Sequence, residues 1–81
     1  MPSAAADERL TRSVARHGLG TPRIRCIQLG SYEELEVIFD RARDAEKFAN
    51  IASGALEEFP DGRAGVLMPA SQIDAVIEKL D

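Results

Sequence analysis

The chain has a single histidine and a single cysteine, His17 and Cys26, and both fall within RLTRSVARHGLGTPRIRC, residues 9–26. An imidazole and a thiol are the minimal base and nucleophile for covalent catalysis, but that chemistry also needs a third group to orient the base. No such group stands at a recognisable spacing, and no local signature of the cysteine enzymes surrounds Cys26. No residue is therefore assigned as catalytic. His17 is expected at a helix C-terminus, where the dipole favours it, and Cys26 as a half-buried strand residue.

Carboxylates offer two further groupings. Glu34, Glu36 and Asp40 recur at strand spacing, and paired acids can divide acid and base work or hold a hard cation. Alternating acids on a strand more simply keep a wet face soluble, and Asp40, Asp44 and Glu46 do not fit a calcium loop. Glu57 and Glu58 are expected at a helix C-terminus, where the dipole disfavours them. Local pairing with Arg63 would account for them, as would an acidic patch awaiting a basic partner. GLG (18–20) lacks the third glycine and the preceding strand of a dinucleotide fingerprint, and there is no phosphate-loop GK pair. No metal and no cofactor is expected.

Arg9, Arg12, Arg16, Arg23 and Arg25 make up half of the ten basic residues. Such a cluster can neutralise phosphates and give salt-sensitive binding without sequence preference. Against it, no Asn or Gln accompanies the arginines to read bases, and no aromatic is interleaved to stack single strands. Tyr32, at a turn between two strands, is the one aromatic expected to anchor a contact.

The totals narrow the class. An 81-residue chain is one domain that buries about two-thirds of its unfolded surface, a thin core that self-association would supplement. One cysteine excludes an internal disulfide framework and a multi-cysteine zinc site, so a reducing compartment is expected. No apolar run reaches the roughly 20 residues of a membrane span, and the start MPSAAADERL lacks the regions of a secretory signal. A cytoplasmic protein without membrane contact is the expectation. Abundant Ala, Arg, Asp and Glu beside two Lys is the composition of a GC-rich bacterial or phage genome. The net charge of -4 is a sum of unlike parts: residues 1–25 hold five Arg against two acids, while residues 26–81 hold five bases against twelve acids.

The elements that would place these groups follow from periodicity. The first six residues are expected to be loose. From Asp7 a helix with Leu10, Val14 and His17 on one stripe and Arg9, Arg12 and Arg16 on the other runs to a cap at Gly18. RIRCIQL (23–29) and ELEVIF (34–39) flank a turn and predict a hairpin. Leu35, Val37 and Phe39 give its second strand one buried face. On the opposite face Ile27, Leu29 and Ile38 form an apolar patch that either the N-terminal helix or a second copy must cover. Apolar spacing over 44–59 predicts a long helix with Asp44 as its cap and a close backbone approach at Gly54. A strand at 64–68 and a last helix beginning at Ala70 or Ser71 complete the chain, and a right-handed crossover would make that strand parallel to the second.

Expected, then, is an α+β two-layer sandwich: a basic amphipathic helix and linker (1–22), followed by a compact ββαβα domain (23–81) with a three-stranded sheet. The expected function is a non-enzymatic protein-interaction or regulatory module, self-associating as a homo-oligomer such as a homodimer. Arg9, Arg12, Arg16, Arg23, Arg25, Tyr32, Glu57 and Glu58 are its candidate partner-binding residues, and Ile27, Leu29 and Ile38 its self-association residues. One alternative is a nucleic-acid-binding regulator that uses the Arg cluster. A second is an acidic inhibitor that mimics nucleic acid through Glu33, Glu34, Glu36, Glu57, Glu58 and Asp61.

Overall fold

The computed structural model describes the backbone of residues 4–81 and the side chains of residues 6–81. Its elements are α1 (Ala4–Arg16), β1 (Arg23–Leu29), β2 (Tyr32–Phe39), α2 (Ala42–Ala52), β3 (Ala55–Glu58), β4 (Ala64–Pro69), a 3₁₀ turn (Ala70–Gln72) and α3 (Ile73–Leu80). The strands form one sheet in the order β1-β2-β4-β3, with every neighbouring pair antiparallel. The α+β class is as expected. The sheet, however, has four strands and not three.

The additional strand comes from the predicted long helix. Its apolar spacing continues through Ala55, Leu56 and Phe59, but the backbone turns out of the helix at Ser53, which takes a left-handed conformation (φ 55°, ψ 38°). The amides of Ser53 and Gly54 both donate to the Ala49 carbonyl and close the last turn. Gly54 then passes so near β4 that a Cβ there would lie 2.5 Å from Val66 Cγ1 and 2.8 Å from the Leu67 carbonyl oxygen. The close approach expected at Gly54 is present, at the junction of α2 and β3 rather than inside a helix. Glu57 and Glu58 consequently belong to an edge strand and not to a helix end.

Connectivity changes with it. β2 and β3 each pair antiparallel with β4, so the chain segment that returns parallel to β2 is β3, and the 64–68 segment runs antiparallel to β2. A tight turn links β3 to β4, closed by the Phe59 amide on the Arg63 carbonyl at 2.9 Å. Asp44 is not a cap: α2 starts at Ala42 after Arg41, without a capping side chain, and Asp44 lies in its first turn. The expected loose start falls partly outside the described residues, at 1–3; Ala4–Ala6 are helical, and Ala6 packs against the core.

The core lies on one side of the sheet. Leu35, Val37 and Phe39 of β2 alternate with Glu34, Glu36 and Ile38, and Ala64, Val66 and Met68 of β4 face the same way as the first three. Phe48 of α2 meets Phe39 with ring centroids 5.3 Å apart. α3 adds Ile73, Val76, Ile77 and Leu80, and it packs against both α1 and α2. Leu10 and Val14 of α1 are fully buried in this same cluster. The helix is fastened at its margin too: Arg9 reaches Asp74 at 3.4 Å, Arg16 reaches both oxygens of Asp81 at 2.9 and 3.0 Å, and His17 Nδ1 lies 3.1 Å from the Leu80 carbonyl oxygen.

Two substitutions test this packing by urea unfolding. Leu10→Ala removes a buried side chain and is expected to cost about 2–4 kcal/mol, whereas a detached helix would leave stability unchanged. Gly54→Ala pushes a methyl into Val66 and the β4 backbone and is expected to cost about 1–3 kcal/mol.

Candidate functional site

Strand alternation gives the sheet a second face, and no helix covers it among the described residues. Directly opposed residues of an antiparallel pair project to the same side, so the register maps this face row by row. Arg23, Ile38, Gly65 and Glu57 form one row, and Arg25, Glu36, Leu67 and Ala55 the next. Ile27, Glu34 and Pro69 form the third, and Leu29 and Tyr32 close the hairpin end. Ile27, Ile38, Leu67 and Phe59 are half-buried yet take no part in the core cluster. Leu29 and Tyr32 are 43% and 56% exposed. The three residues expected to self-associate, Ile27, Leu29 and Ile38, thus share one open face. The N-terminal helix is on the other side and does not cover them.

Near the middle of this face sits Glu36, only 6% exposed. Alternation predicts a wet carboxylate here, and the structure corrects it. Gly65 has no side chain, and the Phe59 ring and the Glu36 stem both come within 3.4 Å of where its Cβ would be. Phe59 therefore folds over Gly65 beside Glu36, shielding it. Arg25 Nη1 lies 3.3 Å from Glu36 Oε1 and compensates the charge, but Oε1 has no hydrogen-bond donor among the described residues. A buried acceptor without a donor costs stability, which is why such groups are few in folded proteins.

The predicted partner-binding residues do not converge. Arg9 reaches Asp74 of α3 and Arg16 reaches Asp81 just after it, and together with Arg12 and Ser13 they line a shallow groove that Ile77 and Asp81 complete. Arg23 and Arg25 lie on the open sheet face, so the five arginines occupy two sides of the molecule. Glu57 projects to the open face; Glu58 projects to the helix-bearing side at the exposed edge of β3. Among the acids of the predicted nucleic-acid mimic, Glu34, Glu36 and Glu57 share the open face, Glu33 is on the opposite face, and Asp61 sits in the β3–β4 turn. There Asp61 accepts from the Arg63 backbone amide at 3.1 Å and from its guanidinium at 2.7 Å, and these contacts, the amide first, hold its carboxyl below the usual range. No group of three or more metal-ligating side chains forms among the described residues.

Nor are His17 and Cys26 brought together. His17 is at the end of α1 against Leu80, while Cys26 is exposed, not half-buried, in the middle of the β1 edge strand. The Cys26 thiol donates to Glu33 Oε2 at 2.8 Å, across the hairpin. This hydrogen bond to a carboxylate raises the thiol pKa, and lowers that of Glu33. A nucleophile needs the opposite shift.

Phe59 and Leu67 are the face residues not singled out from the sequence, and the burial of Glu36 is the feature it does not show. Leu67 was legible: in AGVLM, Ala64, Val66 and Met68 alternate with Gly65 and Leu67, which marks a strand with two apolar faces. Phe59 was masked by its helical spacing. Comparison with known proteins adds no assignment: no family model, no curated protein and no solved structure matches the chain.

The thiol contact has a direct test. Glu33→Gln removes the charged acceptor, so the Cys26 pKa is expected to fall and alkylation by iodoacetamide at pH 8 to accelerate about two- to fivefold. An unchanged rate would show that Glu33 does not govern the thiol.

Proposed function

We propose that the protein is a small non-enzymatic interaction module that self-associates through the open face of its sheet. The observation that carries this reading is the apolar face itself, with Ile27, Leu29, Ile38, Leu67 and Phe59 outside the core and nothing packed over them among the described residues. Apolar side chains left open on one face of a small domain in this way favour docking, although Arg25, Glu36 and Glu34 stand between Ile38 and Leu67 on one side and Ile27 and Leu29 on the other. The face also has the form of an interface: a desolvated centre at Glu36 and Leu67, a polar rim at Arg23, Glu34 and Glu57, and an aromatic, Tyr32, at one end.

Other readings have less support. Nucleic-acid binding through the Arg cluster is weakened because Arg9, Arg16 and Arg25 already face carboxylates, and because the cluster is divided between two sides of the molecule. A nucleic-acid mimic needs its acids on one surface, and Glu33 and Asp61 depart from it. No helix among the described residues is long and apolar enough to cross a membrane.

Sedimentation velocity over a concentration series tests the proposal. The wild-type protein is expected to sediment as a reversible oligomer. Leu67→Lys, which places a charge at the centre of the face, is expected to weaken association about tenfold or more while leaving the circular dichroism spectrum unchanged. A wild-type protein that stays monomeric throughout the series removes the self-association.

A further inference from the structure

We infer that the occupant of the open face is a second copy of this chain, related by a two-fold axis that runs along the strands between β2 and β4, so that Arg23 of each copy meets Glu57 of the other. This rests on the self-association proposed above and specifies its geometry.

The row that begins with Arg23 ends with Glu57: Arg23 opposes Ile38, Ile38 opposes Gly65, and Gly65 opposes Glu57. A base and an acid therefore stand at opposite edges of the sheet, on one face and at one level. Neither has an ion-pair partner among the described residues, whereas Arg25 already pairs with Glu36. Rotating a second sheet about an axis parallel to the strands places its β3 over β1 and its β4 over β2, and keeps each row opposite the same row. Arg23 then faces Glu57 of the second copy at one edge, and by symmetry the same pair recurs at the other. Between these pairs, Ile38 meets Gly65 with its Phe59 cover, and Leu67 meets Glu36. Strand directions stay nearly aligned, as in the commonest sheet-on-sheet packing.

The other two-fold that stacks these faces with their strands aligned runs across the strands, and charge argues against it. It lays β1 over β1 and β2 over β2. Arg23 and Arg25 would then meet the same basic strand, and Glu34 and Glu36 the same acidic one. Shifting the strand-parallel axis outward, between β1 and β2, would leave β3 and β4 without a partner and half of the face bare. Among these aligned arrangements the central axis alone covers all four strands and brings the unpaired charges of the two sheet edges together; Glu34, the third charge on the face without an ion pair among the described residues, lies over Pro69 towards the hairpin end. In that arrangement the hairpin end, with Leu29 and Tyr32, reaches past the end of β4 and forms the rim.

A charge swap tests the geometry, read as the dimer dissociation constant by sedimentation velocity at low salt. Arg23 and Glu57 are both exposed, so the variants are expected to fold, with circular dichroism as the check. Arg23→Glu and Glu57→Arg are each expected to weaken the dimer about tenfold, because one substitution alters two symmetry-related pairs of modest individual strength. The double variant, Arg23→Glu with Glu57→Arg, is expected to recover to within about threefold of wild type. A wild-type dimer that the single variants leave unchanged, or that the double variant does not restore, overturns this axis while leaving self-association through the face intact. A monomeric wild type overturns both.

Discussion

One-sided burial governs this molecule. A chain of 81 residues has enough helix to cover one face of a four-stranded sheet and not two. All three α-helices of the described residues are committed to the side of Leu35, Val37 and Phe39, where each buried Leu, Val or Phe contributes about 1.5–3 kcal/mol. α1 joins that layer through Leu10 and Val14. Had it crossed to the other face, the hairpin patch would be covered and the flank of α3 bare. The open face is therefore the complement of the core, fixed by where the helices went.

Charge is arranged by the same geometry. In sequence the chain is a basic beginning before an acidic remainder, which suggests an arm attached to a body. Folding dissolves that division. Arg9 and Arg16 are used to fasten α1 to α3, and Arg25 to compensate the carboxylate that Phe59 shields. What remains on the open face is a basic edge at β1, an acidic edge at β3, and Glu34 of β2 near the hairpin end. The relevant asymmetry runs across the sheet, and a linear count of charges along the chain cannot express it.

How much of this was legible depended on whether the local pattern had competitors. The hairpin is legible in the sequence because alternation over ELEVIF fixes the faces of one strand and places Ile38 on the face of Ile27 and Leu29. RIRCIQL, apolar on both faces, is less plain; β2 begins two residues earlier than expected, at Tyr32, and Cys26 is exposed. The segment from Ala52 to Phe59 admits two interpretations. Its apolar residues satisfy helical spacing, and the strand is imposed by the left-handed turn at Ser53, by the fit of Gly54 against β4 and by pairing with a strand that comes later in the chain. The shielding of Glu36 was illegible for a similar reason. It arises from Phe59 and Gly65, which are distant in sequence and meet only through the β3–β4 turn.

Tyr32 has a consequence of its own. The chain contains no tryptophan and no second tyrosine, and the aromatic residues of the core are phenylalanines. Nearly all of the ultraviolet emission of the molecule thus originates from a single ring at one corner of the open face. That ring is solvated in the folded protein and again in the unfolded chain, so its light is almost indifferent to whether the core is assembled. It responds to what comes against the hairpin end, and the protein carries its own optical label at the border of the surface where docking is proposed.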